Sequence, residues 1–222
     1  MEGSYSFPSQ RLVQGKFNQS ISSRHPIPSS PPKKGSRLSP SLSLTDKLIL
    51  ELIVLTILPN VGSTEKTPLV LVACGSYSPI TFLHLRMFEM ARDDAHHNTQ
   101  FQVIGGYLSP VNDAYAKLGL ASAVHRVNMC DQAVTETSDW LMVDSWEARQ
   151  SSYTPTAQVL DHFDHELNTV RGGADVVVTD EETGVTRIEK RRIRIMLLAG
   201  SDLILTMSEP GVWAEKDVSP TF

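Results

Sequence analysis

Residues 69 to 91 read LVLVACGSYSPITFLHLRMFEMA, an apolar run that stops at a glycine turn and passes at once into a helical pattern. Leu69, Val70, Leu71 and Val72 form the continuous apolar stretch expected of a strand buried on both faces, as in a parallel sheet. Gly75, Ser76, Ser78 and Pro79 break it. Leu83, Met87, Met90 and Ala91 then recur at helical spacing, which puts Thr81 and His84 in the first helical turn. Backbone N–H groups there lack intrahelical partners and attract anions.

Three more buried strands are predicted downstream. Phe101 to Leu108 (FQVIGGYL) is the second, ended by Ser109-Pro110; Trp140 to Val143 is the third, and Ile193 to Leu198 the fourth, ending at Gly200-Ser201-Asp202. A helix over 121 to 136 carries the apolar stripe Ala123, Val127, Cys130 and Val134. Another over 154 to 171 has Thr154 as N-cap, Pro155 at its first position, and Val159, Leu160, Phe163, Leu167 and Val170 facing inward. Residues 172 to 192 are charged, with two glycine breaks, and read as an exposed excursion with a hairpin around Thr183-Gly184 as one form. Alternating strand and helix argue for an α/β fold with a doubly wound parallel sheet.

With 222 residues, 41% of them hydrophobic, the chain can bury the core of one ordinary domain. Its formal net charge of −5 gives no electrostatic reason to expect nucleic acid as a partner, so any phosphate site has to be local. Cys74 and Cys130 are the only cysteines, no CxxC pair or secretory signal is present, and a reducing compartment without a disulfide is expected. The cytoplasm, the nucleus or both would serve. Residues 1 to 47 are rich in Ser, Pro and basic residues and lack an apolar period, so disorder is their expected state; Lys33, Lys34 and Arg37 read as part of a solvated tail. Residues 48 to 58 (LILELIVLTIL) are too short to span a bilayer and carry Glu51, so no membrane anchor is expected. They either pack on the domain or remain a sticky unpaired segment. On a face of the later helix, His162 and His165 beside Glu166 lack a convincing fourth partner for a metal and read as a solvated charged face. His96-His97 ends a helix, where imidazolium suits the dipole.

The string GSYSPITFLHLRMFEMA resembles the phosphate-binding signature of the nucleotidyltransferase superfamily, with Thr81-Phe82-Leu83-His84 as its His/Thr-x-x-His element. At full length it is similar to the eukaryotic, fungal-like nicotinamide/nicotinic acid mononucleotide adenylyltransferases. SPVNDAYAKLGL with AVHRVNMC, WLMVDSWEARQSSYTPTAQVLDHFDHEL, and LLAGSDLILTMSEPGVWAEKDV resemble three further segments of that family, so the likeness covers most of 65 to 218. It implies a Rossmann-like nucleotidyltransferase domain over 65 to 222, preceded by an atypical segment, 1 to 64, in which the stretch between YSFPSQRL and EKTPLVLVACGS looks inserted. The reaction implied is transfer of AMP from ATP, arriving with Mg²⁺, to nicotinamide or nicotinate mononucleotide, giving NAD or its deamido form plus pyrophosphate. No protein metal ligand is implied, and homo-oligomerisation stays open. Family members continue past the PGVW segment to a Ser/Thr-x-x-Lys/Arg helix start that binds the triphosphate. Nothing similar follows Trp213, so the resemblance also implies a fold whose C-terminal part is missing and weak or absent turnover. A non-catalytic nucleotide-binding remnant and an interaction or chaperone-like scaffold are the two other readings.

Carried over residue by residue, the resemblance assigns Gly75, Ser76 and Tyr77 to backbone contacts with phosphate, Gly75 by admitting close approach. Tyr77 stands where the family usually has Phe, and its added hydroxyl is tolerable if solvated. His84, taken as a cationic imidazole, would act with Thr81 on the phosphates. Lys117 would meet substrate phosphate with Tyr115 beside it, and Tyr153 and Thr156 would lie near the nicotinamide. Gly200 and Asp202 would hold ribose, Asp202 accepting its hydroxyls, while Val212 and Trp213 would complete the enclosure of the base.

Overall fold

The computed structural model describes residues 5–9, 12, 66–179, 183, 185–214 and 217. The expected LILELIVLTIL segment and the basic tail residues lie outside these. Four apolar stretches form strands β1 (Thr67–Gly75), β2 (Phe101–Pro110), β3 (Leu141–Val143) and β6 (Arg194–Leu197), all parallel, in the order β3-β2-β1-β6. β1 and β2 are largely buried because helices are laid on both faces of the sheet; the edge strand β6, expected to be buried, is exposed at Arg194 and half-buried from Ile195 to Leu197. Helices α1 (Phe82–Asn98) and α2 (Ala123–Thr137) cover one face, where Phe88, Ala91, Cys130 and Val134 pack on Leu69, Leu71, Leu108 and Leu141. Helix α3 (Thr156–Asp164), continued by a π-helical stretch His165–Val170, covers the other with Val159, Phe163 and Leu167. Strands β4 (Ala174–Thr179) and β5 (Thr186–Arg191) pair antiparallel as a separate hairpin, and a short α4 (Ser201–Leu205) follows β6. The doubly wound expectation is met.

Several local expectations change. The buried face of α1 is Phe88, Ala91 and Ala95, whereas Leu83, placed inward by periodicity, is 76% exposed. The cap of α3 is Pro155, and Thr154 sits buried before it with its hydroxyl on the Ser152 carbonyl. The hairpin is not wholly an excursion, since Ala174 and Val176 join the core under α3. His96 is no dipole-facing cation: its Nε2 accepts the Val103 N–H at 3.1 Å, beside the register shift between β1 and β2, and burial lowers its pKa.

Disorder is the expected state of the amino-terminal segment, yet Tyr5, Phe7 and Leu12 lie on the α3 face. Phe7 packs edge-on against Phe163 and tilts over Tyr107, whose hydroxyl donates to the Pro8 carbonyl at 2.6 Å. Leu12 occupies the space over Gly105, where a Cβ would come within 2.6 Å of its Cδ2. His162, expected to be solvated, is enclosed in the same region. It stacks on Trp146 at 4.2 Å, and its Nε2 lies 3.1 Å from both the Tyr5 hydroxyl and the buried Asp144 carboxylate, to which Tyr5 also donates at 2.9 Å.

Candidate functional site

In a parallel sheet every strand delivers its following loop to one edge. The carboxyl ends of β1, β2, β3 and β6 therefore bring together the turn at 75–81, the loop at 111–122, the segment 144–155 and the segment 199–213. Chain order reverses at β1, which has β2 on one side and β6 on the other, and open sheets bind ligands in the crevice at such a point.

The turn is built to present donors. The Gly75 carbonyl accepts the Val111 N–H at 3.0 Å and the Ser76 carbonyl accepts Arg126 Nη1 at 3.0 Å, so both acceptors point into the protein. Among the described residues nothing accepts the N–H groups of Ser76 or Tyr77. Tyr77 takes the left-handed conformation, φ 42°, an uncommon state for a side-chain-bearing residue that clusters at ligand-binding turns. Its ring is buried under the turn and its hydroxyl donates to the Ala73 carbonyl at 2.8 Å, so the added hydroxyl is accommodated by a hydrogen bond instead of by solvent. Gly75 also has a different reason from the expected one. A Cβ there would stand 2.9 Å from the Tyr77 ring, so the ring packed against the turn is itself a reason for glycine.

Thr81 caps α1, and His84 occupies the third helical position. Its Nδ1 lies 3.0 Å from the Thr81 N–H and 2.8 Å from the Thr81 hydroxyl, while its ring meets Tyr77 edge-on at 5.2 Å. A protonated Nδ1 would set two N–H donors against each other. Burial moves the pKa in the same sense, below the ordinary imidazole value. With Nδ1 accepting from the Thr81 N–H, the ring proton falls on Nε2, which leaves a directed donor at a helix amino terminus.

Tyr115 closes a short 3-10 turn, Asp113–Tyr115, and its ring stacks with Tyr153 at 6.1 Å and 25°, so two residues assigned to different parts of a ligand share one aromatic wall. Partial burial first, and the Tyr115 phenol second, raise the Tyr153 pKa. Lys117 is exposed on the same loop, and Thr156 is half-buried at the first position of α3. Gly200 caps α4, where a Cβ would come within 2.6 Å of Asp202 Oδ1. Val212 is exposed, and Trp213 is half-buried with its indole N–H donating to Thr206 Oγ1 at 2.9 Å. This last segment shares the sheet edge with the turn, but among the described residues no hydrogen bond joins the two.

Sequence reading passed over three buried polar groups at this edge. Arg126 is wholly buried on α2 and contacts the turn and the loop. Its signal was present, because 126 falls on the face of Ala123, Cys130 and Val134. Glu147, 3% exposed, accepts from Ser109 Oγ at 2.6 Å, and burial pushes its carboxyl up to about 7 against that hydrogen bond. Asn112 is buried at the end of β2 with its amide nitrogen on the Ser152 carbonyl; no local pattern marks it. Cys74 and Cys130 are both free, and burial raises both thiols, Cys130 to about 12, which disfavours the thiolate at each. Among the described residues no three His, Cys, Asp or Glu side chains are grouped to hold a metal ion.

Comparison with known proteins agrees with this geometry. Residues 72–216 match the cytidylyltransferase-like family model. The chain is 60% identical over 154 residues to nicotinamide/nicotinic acid mononucleotide adenylyltransferase 2 of Saccharomyces cerevisiae, an alignment covering 69% of this chain and 37% of that protein. It is 59% identical over 153 residues to the nicotinamide/nicotinic acid mononucleotide adenylyltransferase of Schizosaccharomyces pombe, covering 69% and 39%. Against nicotinamide/nicotinic acid mononucleotide adenylyltransferase 2 of Xenopus tropicalis the identity is 34% over 218 residues, covering 71% of each. The matched part is thus little more than a third of the fungal proteins' length and over two thirds of the frog protein's. A parallel sheet switching direction at β1, a donor turn feeding α1 and these matches together place the chain in the cytidylyltransferase-like family, among the nicotinamide/nicotinic acid mononucleotide adenylyltransferases.

Proposed function

We propose that the chain transfers AMP from ATP to nicotinamide or nicotinate mononucleotide, releasing pyrophosphate and giving NAD or its deamido form. The observation that carries this reading is the turn at Gly75–His84, with tied carbonyls, free Ser76 and Tyr77 N–H groups and a neutral His84 donor at the start of α1. In this transfer a mononucleotide phosphate oxygen attacks the α-phosphorus of ATP as the bond to the pyrophosphate oxygen breaks in line. The protein has no covalent step to perform; it aligns the partners and stabilises growing charge. Ser76, Tyr77 and His84 Nε2–H serve the phosphates, and Thr81 holds the imidazole in its donor tautomer. Lys117 supplies a mobile cation on the mononucleotide side. Tyr115 and Tyr153 form the aromatic wall for the nicotinamide, with Thr156 at its base; Gly200 and Asp202 take ribose, and Val212 and Trp213 flank the base. Mg²⁺ would enter with ATP as counter-ion to its phosphates. The cytoplasm or nucleus suits two free cysteines.

The test is incubation of the purified 222-residue chain with Mg-ATP and each mononucleotide, reading pyrophosphate and dinucleotide, beside calorimetric titration with ATP. Equimolar pyrophosphate and dinucleotide are expected. Binding of ATP without either product would make the chain a nucleotide-binding module, and no binding at all would make it a scaffold.

A further inference from the structure

Arg126 is the largest fully buried side chain among the described residues, in a helix face otherwise made of Ala123, Cys130 and Val134. Burying a guanidinium is unfavourable unless its charge and its donors are met, and here the planar fork meets four acceptors. Nε donates to the Ala121 carbonyl at 2.8 Å, Nη1 to the Ser76 carbonyl at 3.0 Å, and Nη2 to the Val111 carbonyl at 2.6 Å and Asp113 Oδ1 at 3.2 Å. Asp113 Oδ1 also accepts the Ala123 N–H at 2.7 Å, which fixes the loop to the start of α2. Ser76 belongs to the donor turn. Val111, Asp113 and Ala121 bracket the loop that carries Tyr115 and Lys117.

We propose that Arg126 is a positioning residue for the adenylyl transfer put forward above, on which this inference rests. One rigid fork holds the turn and the loop at a fixed separation, and so holds the ATP phosphates in line with the attacking mononucleotide phosphate. Reactants displaced by about 1 Å lose on the order of a hundredfold in rate, although each still binds. A lysine in place of Arg126 keeps the charge and can reach one or two of the carbonyls, but it cannot span both segments.

The test uses Arg126→Lys in the full chain, with hydrogen exchange read without substrates and steady-state kinetics read with both. Exchange at Thr81 and His84, whose amides are hydrogen-bonded at the end of the turn, and at 111–121 is expected to quicken together while the amides of β1 and β2 stay protected. kcat is expected to fall at least about thirtyfold, with each KM changed by less than about threefold. Where Arg126→Lys lowers the melting temperature by more than about 10 °C, Asp113→Ala carries the same measurements, since it removes one acceptor at a side chain that is 61% exposed. A kcat within about threefold of the parent, or faster exchange in one segment alone, would overturn the proposal. If the parent chain itself makes no product, the proposed function fails, and exchange still decides whether Arg126 couples the two segments.

Discussion

His84 and Glu147 are two titratable groups whose surroundings set their charge in ways their types do not announce. Nδ1 of His84 is engaged by the Thr81 N–H, so the ring is expected to be neutral at pH 7 with its proton on Nε2. Nitrogen-15 spectra of the imidazole should show that tautomer, and a ring cationic at neutral pH would end the neutral-donor role. Removing the donor by His84→Ala is expected to cost about 2.7 kcal/mol or more of transition-state stabilisation, as for other single oxyanion donors, and a kcat within threefold of the parent would contradict it. Glu147 offers a test independent of catalysis. Its carboxyl is raised from 4.5 to about 7 by burial, so the folded state holds its proton more tightly than the unfolded chain does. The sign follows: the contribution is fully present below pH 4.5 and is lost as pH rises to about 7, and at about 1.4 kcal/mol per pH unit it amounts to about 3 kcal/mol. Glu147→Gln, which retains an acceptor for Ser109, should match the parent near pH 4 and exceed it near pH 8 in urea melts. Parallel curves would mean that Glu147 is ionised in the fold without penalty.

Among the elements, the short amino-terminal stretch is the one whose role local pattern reading reversed. Tyr5 reaches Asp144 and His162 across sequence separations of 139 and 157 residues, so no periodicity within the stretch could reveal its partners. The glycine pair in β2 offered an indirect sign, because a strand without side chains leaves space that another element must fill. Phe7→Ala is expected to lower stability by about 2 kcal/mol, less than a fully buried phenylalanine because the ring is only half covered. Deleting residues 1 to 12 should lower it further, and an unchanged melting temperature after deletion would show that the segment merely rests on α3. By contrast, the two central strands were legible, since a strand buried on both faces must be largely apolar, and LVLV and FQVIGGYL need no distant information to be read as such, whereas the edge position that leaves β6 half-buried could not be read from IRIMLL. Arg126 lay between these cases. A cation on an apolar stripe could be seen in the sequence, but its acceptors at 76, 111, 113 and 121 could not.

For the whole molecule, the order β3-β2-β1-β6 and its parallel direction matter more than any element in it, because the order sets the switch point at β1 and the direction gathers the following loops at one edge. The hairpin of β4 and β5 joins β6 through Arg191–Arg194, and Arg194 pairs with Leu69 near the amino end of β1, so the hairpin springs from the edge opposite the donor turn. Resemblance could assign residues to a ligand one by one. It could not say that Tyr115 and Tyr153 make a single wall, since that depends on loops from β2 and β3 meeting at 6.1 Å. This polarity gives a prediction for the molecule as a unit. Hydrogen exchange with and without Mg-ATP plus mononucleotide should show protection confined to 75–85, 111–123, 144–156 and 199–213, the segments at the carboxyl edge. Residues 174–179 and 186–191 should exchange at the same rate in both states, because ligand binding at one edge shifts local opening only where the ligand adds contacts. Protection of the hairpin with no change at the turn would put the ligand at the wrong edge and overturn the site. Uniform slowing across the sheet would instead show that binding suppresses global unfolding, and a lower ligand concentration would then resolve the local pattern.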